Sequence, residues 1–275
     1  MATLDPLLSE EPCEGETQLI KSFLYHRLTD DRALSRLQPQ TVHEQEFKLH
    51  LELLDRWGFT TITLHDYLLF RQKQLHLPRK PVVLTIDDGT EDTYRVALPL
   101  LREAGCRAVV FVSADPTSRG NGWGNDGHRA KPLSTAHLRQ LAAEGMEIGS
   151  LSTVRQSLTV MPPDAARNAI AVSRHHLEMT LGAPVVSFAY PFGQVNAAVK
   201  CMVEEAGYSF ACSWSTGPGT FGDDLFEIRR FTVQTGLGAV GFGLRLHAPF
   251  ELYEQCVQRT RSALAWMNHR QVIRV

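Results

Sequence analysis

The ten residues 81–90, Pro-Val-Val-Leu-Thr-Ile-Asp-Asp-Gly-Thr, constrain the fold of this chain more than any other stretch. A run of β-branched and aliphatic residues without a charge predicts a strand buried on both faces, as in a parallel sheet. The run stops at two adjacent carboxylates, Asp87 and Asp88, which therefore sit at a strand's C-terminal end. In α/β sheets and barrels that edge is where ligands bind and chemistry is done, because the following loops converge there. Strict alternation would send Asp87 and Asp88 to opposite faces. A break at Gly89 lets both face one cavity. An ordinary solvated Asp-Asp-Gly turn would need no apolar run leading into it.

The rest of the chain alternates strands with helices. Strands are expected near residues 22–26, 60–64, 107–113, 146–150, 185–191, 209–214 and 226–233. Helices are expected at 41–57, with Thr41 as cap, and at 65–74, 91–103, 134–144, from Pro162 and Pro163 to Gly182, at 196–206 and at 250–266. Such βα repetition implies a parallel sheet. With 275 residues and 43% hydrophobic content the chain can bury one large core. The expected organisation is a flexible leader over 1–18 and a single α/β barrel-like domain over 19–275.

A net charge of -2 gives no reason to expect nucleic acid or an anionic membrane as partner. No apolar run approaches the roughly 20 residues needed to span a bilayer. The acidic N-terminus is unlike a secretory signal, which predicts a cytoplasmic protein. The five cysteines, Cys13, Cys106, Cys201, Cys212 and Cys256, are scattered and odd in number, fitting reduced thiols better than a disulfide framework. Oligomeric state cannot be read from these features.

Residues 114–132 form a long glycine-rich connection that includes Trp123, Asp126 and His128. Such loops are often functional, and Trp123 would suit stacking on a sugar ring.

The order of motifs resembles the polysaccharide deacetylase (NodB-homology) family, carbohydrate esterase family 4, nearest its poly-N-acetylglucosamine deacetylase branch. The resemblance rests on Tyr25-His26-Arg27, on Thr85-Ile86-Asp87-Asp88-Gly89, on Glu147-Ile148-Gly149 and on Phe188-Ala189-Tyr190-Pro191-Phe192-Gly193, with Tyr208 and Arg230 where that branch has similar residues. It implies a distorted (β/α)7 barrel and a hydrolase acting on the carbon-nitrogen amide bond of an N-acylated sugar, oligosaccharide, sugar conjugate or related small amide. It also implies roles: Asp87 as general base, the backbone N–H at Phe192 for the oxyanion, His247 to protonate the leaving amine, and Tyr190 as a substrate neighbour.

In the family a divalent metal is held by the second Asp, here Asp88, and by two histidines of a His-Ser/Thr-x-x-His motif. Those positions are Leu151 and Arg155 here. Leucine has no lone pair to donate and a guanidinium is a permanent cation, so no tightly bound metal is expected. Zinc or another divalent metal would need replacement ligands from His26, Asp126 or His128. Alternatively the chain binds carbohydrate without hydrolysing it, or Arg155 stands in for the metal's charge, gripping substrate or closing an ion pair with Asp88 across the vacated site. A scaffolding role is a third, unrelated reading.

Overall fold

The computed structural model describes residues 20–114, 131–214, 221 and 224–247. In chain order these form β1 (Lys21–Tyr25), β2 (Arg27–Thr29), α1 (Arg32–Leu37), β3 (Thr41–His43), α2 (Glu44–Arg56), β4 (Thr60–Thr61), α3 (Leu64–Arg71), β5 (Pro81–Ile86), α4 (Leu98–Glu103), β6 (Val109–Val112), α5 (Thr135–Ala143) and β7 (Glu147–Ser150). Then follow α6 (Pro163–Leu181), β8 (Ser187–Ala189), α7 (Ala197–Glu205), β9 (Phe210–Ser213), β10 (Ile228–Arg229), β11 (Phe231–Thr232) and α8 (Gly238–His247).

One sheet runs β10-β9-β8-β7-β6-β5-β1-β11, with β4 paired to the start of β5, and every pairing in it is parallel. Its two free edges meet in one piece of chain: β10 pairs with β9, β11 pairs with β1, and only Arg230 separates them. The sheet is thereby a nearly closed barrel, with the helices covering its outside. Among the described residues no helix is long and apolar enough to cross a membrane.

Alternation along the strands divides the apolar residues into two clusters. Val82, Leu84 and Ile86 of β5 and Val110 and Val112 of β6 pack outward with the helices, whereas Val83, Val109, Phe111, Phe210 and Cys212 fill the barrel. Residue i+2 repeats the face, so Asp87 continues the inner face of Val83 and Thr85. The strand's apolar run therefore aims its terminal carboxylate into the lumen.

Two expected elements differ. Residues 41–43 are not the first turn of a helix but a strand paired in parallel with β2. The helix starts at Glu44, and His43 Nδ1 rather than Thr41 accepts from the Gln45 N–H, at 3.2 Å. The expected strand over 226–233 is split by Arg230, because the chain changes partner there. The expected helix at 250–266 lies outside the described residues.

Behind β1, His50 of α2 is wholly buried. Its Nδ1 accepts the Tyr25 hydroxyl at 3.1 Å and its ring stacks on Phe242 of α8 at 4.3 Å, while Nε2 is buried with no hydrogen-bond partner among the described residues. Burial pushes its pKa down to about 4, against the raising field of Glu46. A histidine depressed in the folded state and ordinary in the unfolded one contributes stability above about pH 6.5 that is lost as pH falls towards 4. The expected loss reaches about 3 kcal/mol. Denaturant midpoints followed from pH 7 to 4 should fall more steeply for wild type than for a Tyr25→Phe/His50→Leu variant, and parallel curves would refute the assignment.

Candidate active site

Asp87 is 5% exposed and its backbone N–H donates to the Tyr25 carbonyl at 2.9 Å, extending the β1-β5 ladder. Its carboxylate is gripped by Arg230, which is 1% exposed: Nη1 donates to Oδ1 at 2.7 Å and Nη2 to Oδ2 at 2.9 Å. The same guanidinium donates from Nη1 to Thr85 Oγ1 at 3.0 Å and from Nε to the Ser213 carbonyl at 3.3 Å, and it lies over the Phe111 ring. One residue at the closure of the sheet thus ties β5, β6 and β9 together inside the lumen. Burial lowers the pKa of Arg230, but the charge of Asp87 outweighs it, and the net is a rise.

Asp88 has φ 76, a left-handed conformation that costs a residue with a Cβ on the order of 1 kcal/mol or more. The sequence expectation of a break at Gly89 is thus realised one residue earlier, and Gly89 follows with φ 56. This turn brings Asp88 back toward the cavity, where its Oδ2 accepts from His26 Nδ1 at 3.2 Å. His26 follows β1 and packs edge-on against Trp214, with ring centres 5.6 Å apart. Burial alone would lower the pKa of His26, but the charge and hydrogen bond of Asp88, helped by Asp87, raise it overall. Asp88 Oδ1 and His26 Nε2 are both buried and have no hydrogen-bond partner among the described residues.

The compensating cations are therefore not those the sequence suggested. Arg230, 143 residues away in the chain, holds Asp87, and His26 holds Asp88. Arg155 is half-buried and feels the charge of Asp88, whose Oδ2 bonds His26.

At the third motif, Pro191–Gly193 forms a tight turn in which Phe192 takes φ 57 and ψ 15. Gly193 has φ 65, and a Cβ there would lie 2.1 Å from Trp214 Cβ. Only glycine lets this turn press against the end of β9. Phe192 is 44% and Trp214 39% exposed, so two aromatic rings stand at the rim.

Two expected roles need correction. Tyr190 is 1% exposed and donates its hydroxyl to the Phe226 carbonyl at 2.8 Å, so its side chain holds the wall together instead of meeting substrate. His247 packs against Trp57 and Phe59, with ring centres 5.0 and 5.5 Å apart. Phe59 precedes β4, which pairs with the first residues of β5, so His247 lies at the end of the barrel opposite Asp87. Trp123, Asp126 and His128 lie outside the described residues.

Among the described residues the donor set does not fit a divalent metal. The family's histidine positions hold Leu151, which is 2% exposed among apolar neighbours, and Arg155. His26 Nδ1 is engaged with Asp88 Oδ2. Among the described residues no three His, Cys, Asp or Glu side chains are grouped to hold a metal.

The chain is a nearly closed parallel barrel with paired aspartates at its C-terminal rim. Residues 75–211 match the polysaccharide deacetylase family. Over 220 residues, 80% of the chain and 73% of the relative, it is 23% identical to YxkH of Bacillus subtilis (strain 168), itself provisionally named a polysaccharide deacetylase. Its fold is similar to that of the Streptococcus pyogenes deacetylase PplD, determined with acetate, at a TM-score of 0.72, 19% identity and coverage of 83% of this chain and 98% of that one. A de-N-acetylase of Aggregatibacter actinomycetemcomitans matches at a TM-score of 0.73, 18% identity and coverage of 82% and 99%.

Proposed function

We propose that this cleft hydrolyses the carbon-nitrogen amide bond of an N-acylated sugar, with Asp87 as base and His26 as acid. The observation that carries the proposal is the pairing of His26 Nδ1 with Asp88, which fixes the ring and leaves Nε2 buried and without a partner among the described residues, near the carboxylate of Asp87. Asp88 keeps the imidazolium protonated to higher pH and Arg230 keeps Asp87 in place. A carboxylate held in place to take a proton and an imidazolium held in place to give one are the two parts of an acid–base pair. Each carboxylate oxygen of Asp87 retains a lone pair beyond its bond to Arg230, so a water can still be held and deprotonated.

The N–H of Phe192, presented by the left-handed turn, supplies a donor for the oxyanion, and the exposed faces of Phe192 and Trp214 offer apolar surface to a sugar ring. Acetyl is the acyl group that the named neighbours favour.

The test is release of acetate from N-acetylglucosamine and its oligomers by the purified protein, followed over hours. Turnover above the buffer blank, abolished in Asp87→Asn, is expected. Tight binding of the oligomers without any acetate release would replace the proposal with a carbohydrate-binding role.

A further inference from the structure

Helix α8 is apolar on two sides. Phe242 and Leu246 are buried, and Phe242 stacks on His50 of α2 and packs on Phe23 of β1. The outer side carries Val240, 78% exposed, and Leu244, 48% exposed, one helical turn apart. His247 continues the same line, with its ring against Trp57 and Phe59. Together with Ala239, Gly243 and Trp57 these side chains line an open groove between α8 and the end of α2. Its floor is closely fitted, since a Cβ on Gly243 would stand 3.0 Å from the Trp57 ring. Single apolar side chains at a surface are ordinary, but a contiguous apolar groove beside an aromatic ring marks a place where something binds.

The sequence after α8 points to the occupant. His247 ends the helix at the edge of the groove, and the chain goes on Ala248-Pro249-Phe250. Proline cannot continue a helix's hydrogen bonding but suits the start of the next one. Residues 250–266, whose sequence is that of an amphipathic helix, lie outside the described residues. At helical spacing Tyr253, Cys256, Val257, Thr260 and Leu264 share one face, whereas Glu251, Glu254, Gln258 and Arg259 fall on the others. A turn of two residues returns a second helix antiparallel beside the first. The reach suffices, because His247 to Val240 is a rise of about 10 Å, which seven residues of the returning segment match.

We propose that the groove on α8 is the docking site of residues 250–266 of the same chain, which fold back along it with Tyr253 near Leu244 and Cys256 near Val240. The inference does not depend on the reaction proposed above. A helix of this length is marginal in water by itself, and burial of its apolar face supplies the missing stability. Docked, it takes Val240 and Leu244 out of water and braces α8 against Trp57.

The test uses the full chain carrying Val240→Cys, oxidised with copper phenanthroline under native conditions. A disulfide requires Cα atoms within about 7 Å, a separation that facing residues of packed helices reach. An intramolecular disulfide with Cys256, identified by peptide mass, is expected in most of the protein and should be lost in Val240→Cys/Cys256→Ala. Val240→Glu, which leaves every cysteine in place, should lower the urea midpoint, because a covered position takes a charge only with loss and a solvated one takes it freely. A disulfide between two chains would make a second copy the occupant and overturn the inference. Thiols that stay reduced at both positions after oxidation, or an unchanged midpoint in Val240→Glu, would overturn it as well.

Discussion

Arg230→Met should lower stability at neutral pH by about 3–5 kcal/mol, the cost of leaving one partner of a buried ion pair unpaired. Methionine replaces most of the aliphatic volume, so the loss comes chiefly from electrostatics and hydrogen bonding. Asp87 is 5% exposed and both its oxygens would be stripped of their donors. Thr85 Oγ1 and the Ser213 carbonyl would lose theirs as well. Because β10 and β11 flank Arg230, the same substitution loosens the join at which the sheet closes. Asp87→Asn added to Arg230→Met should recover a large part of the loss, since a neutral amide is cheaper to bury than a carboxylate. Urea unfolding of the two variants separates these cases. A loss below 1 kcal/mol in Arg230→Met would mean that the pair is not a structural requirement.

His26→Gln should reduce kcat by about 10²–10⁴-fold, the range for removal of a positioned general acid or base. Glutamine can still reach Asp88 with an N–H but carries no proton to donate. In wild type the alkaline limb of the pH–rate profile should lie above the ordinary histidine range, because Asp88 raises His26. The linked stability has the same sign: it is fully present below about pH 6.5 and is lost as pH rises through the folded-state pKa. In His26→Gln the alkaline limb should vanish along with most of the rate. An unchanged kcat would remove His26 from the chemistry.

Much of the barrel was legible because its strands are short apolar runs with small or polar ends and its helices carry strong caps, such as Asn196 before α7 and Gly182 after α6. Asp87 and Asp88 were legible for the same reason, as charges that end a buried strand. The pairing of Arg230 with Asp87 was not. Arg230 stands in what reads as one continuous strand, and its meaning comes from sheet closure, a pairing between distant pieces of chain that leaves no local pattern. His26 reads from the sequence as a motif residue and a possible metal ligand but not as an acid, since a lone histidine after a strand gives no sign of which nitrogen will be engaged. His247 misled because Leu244-Arg245-Leu246-His247 resembles a family motif, whereas the spacing equally suits α8, whose Phe242 and Leu246 are buried. That helix is fastened to α2 through Glu46, which accepts from the Gly236 and Gly238 N–H groups at 3.0 and 3.1 Å.

The central claim is that Asp88 fixes and charges His26 so that Nε2 serves the cleft. Nitrogen-detected NMR of the histidine rings, titrated from pH 5 to 9 in wild type and in Asp88→Asn, addresses it without knowledge of the substrate. Wild type should show His26 protonated at Nδ1 throughout, with Nε2 titrating above 6.5, and Asp88→Asn should move that midpoint to lower pH. A His26 that titrates at or below 6.5 in wild type, or whose midpoint is unmoved by Asp88→Asn, would contradict the account.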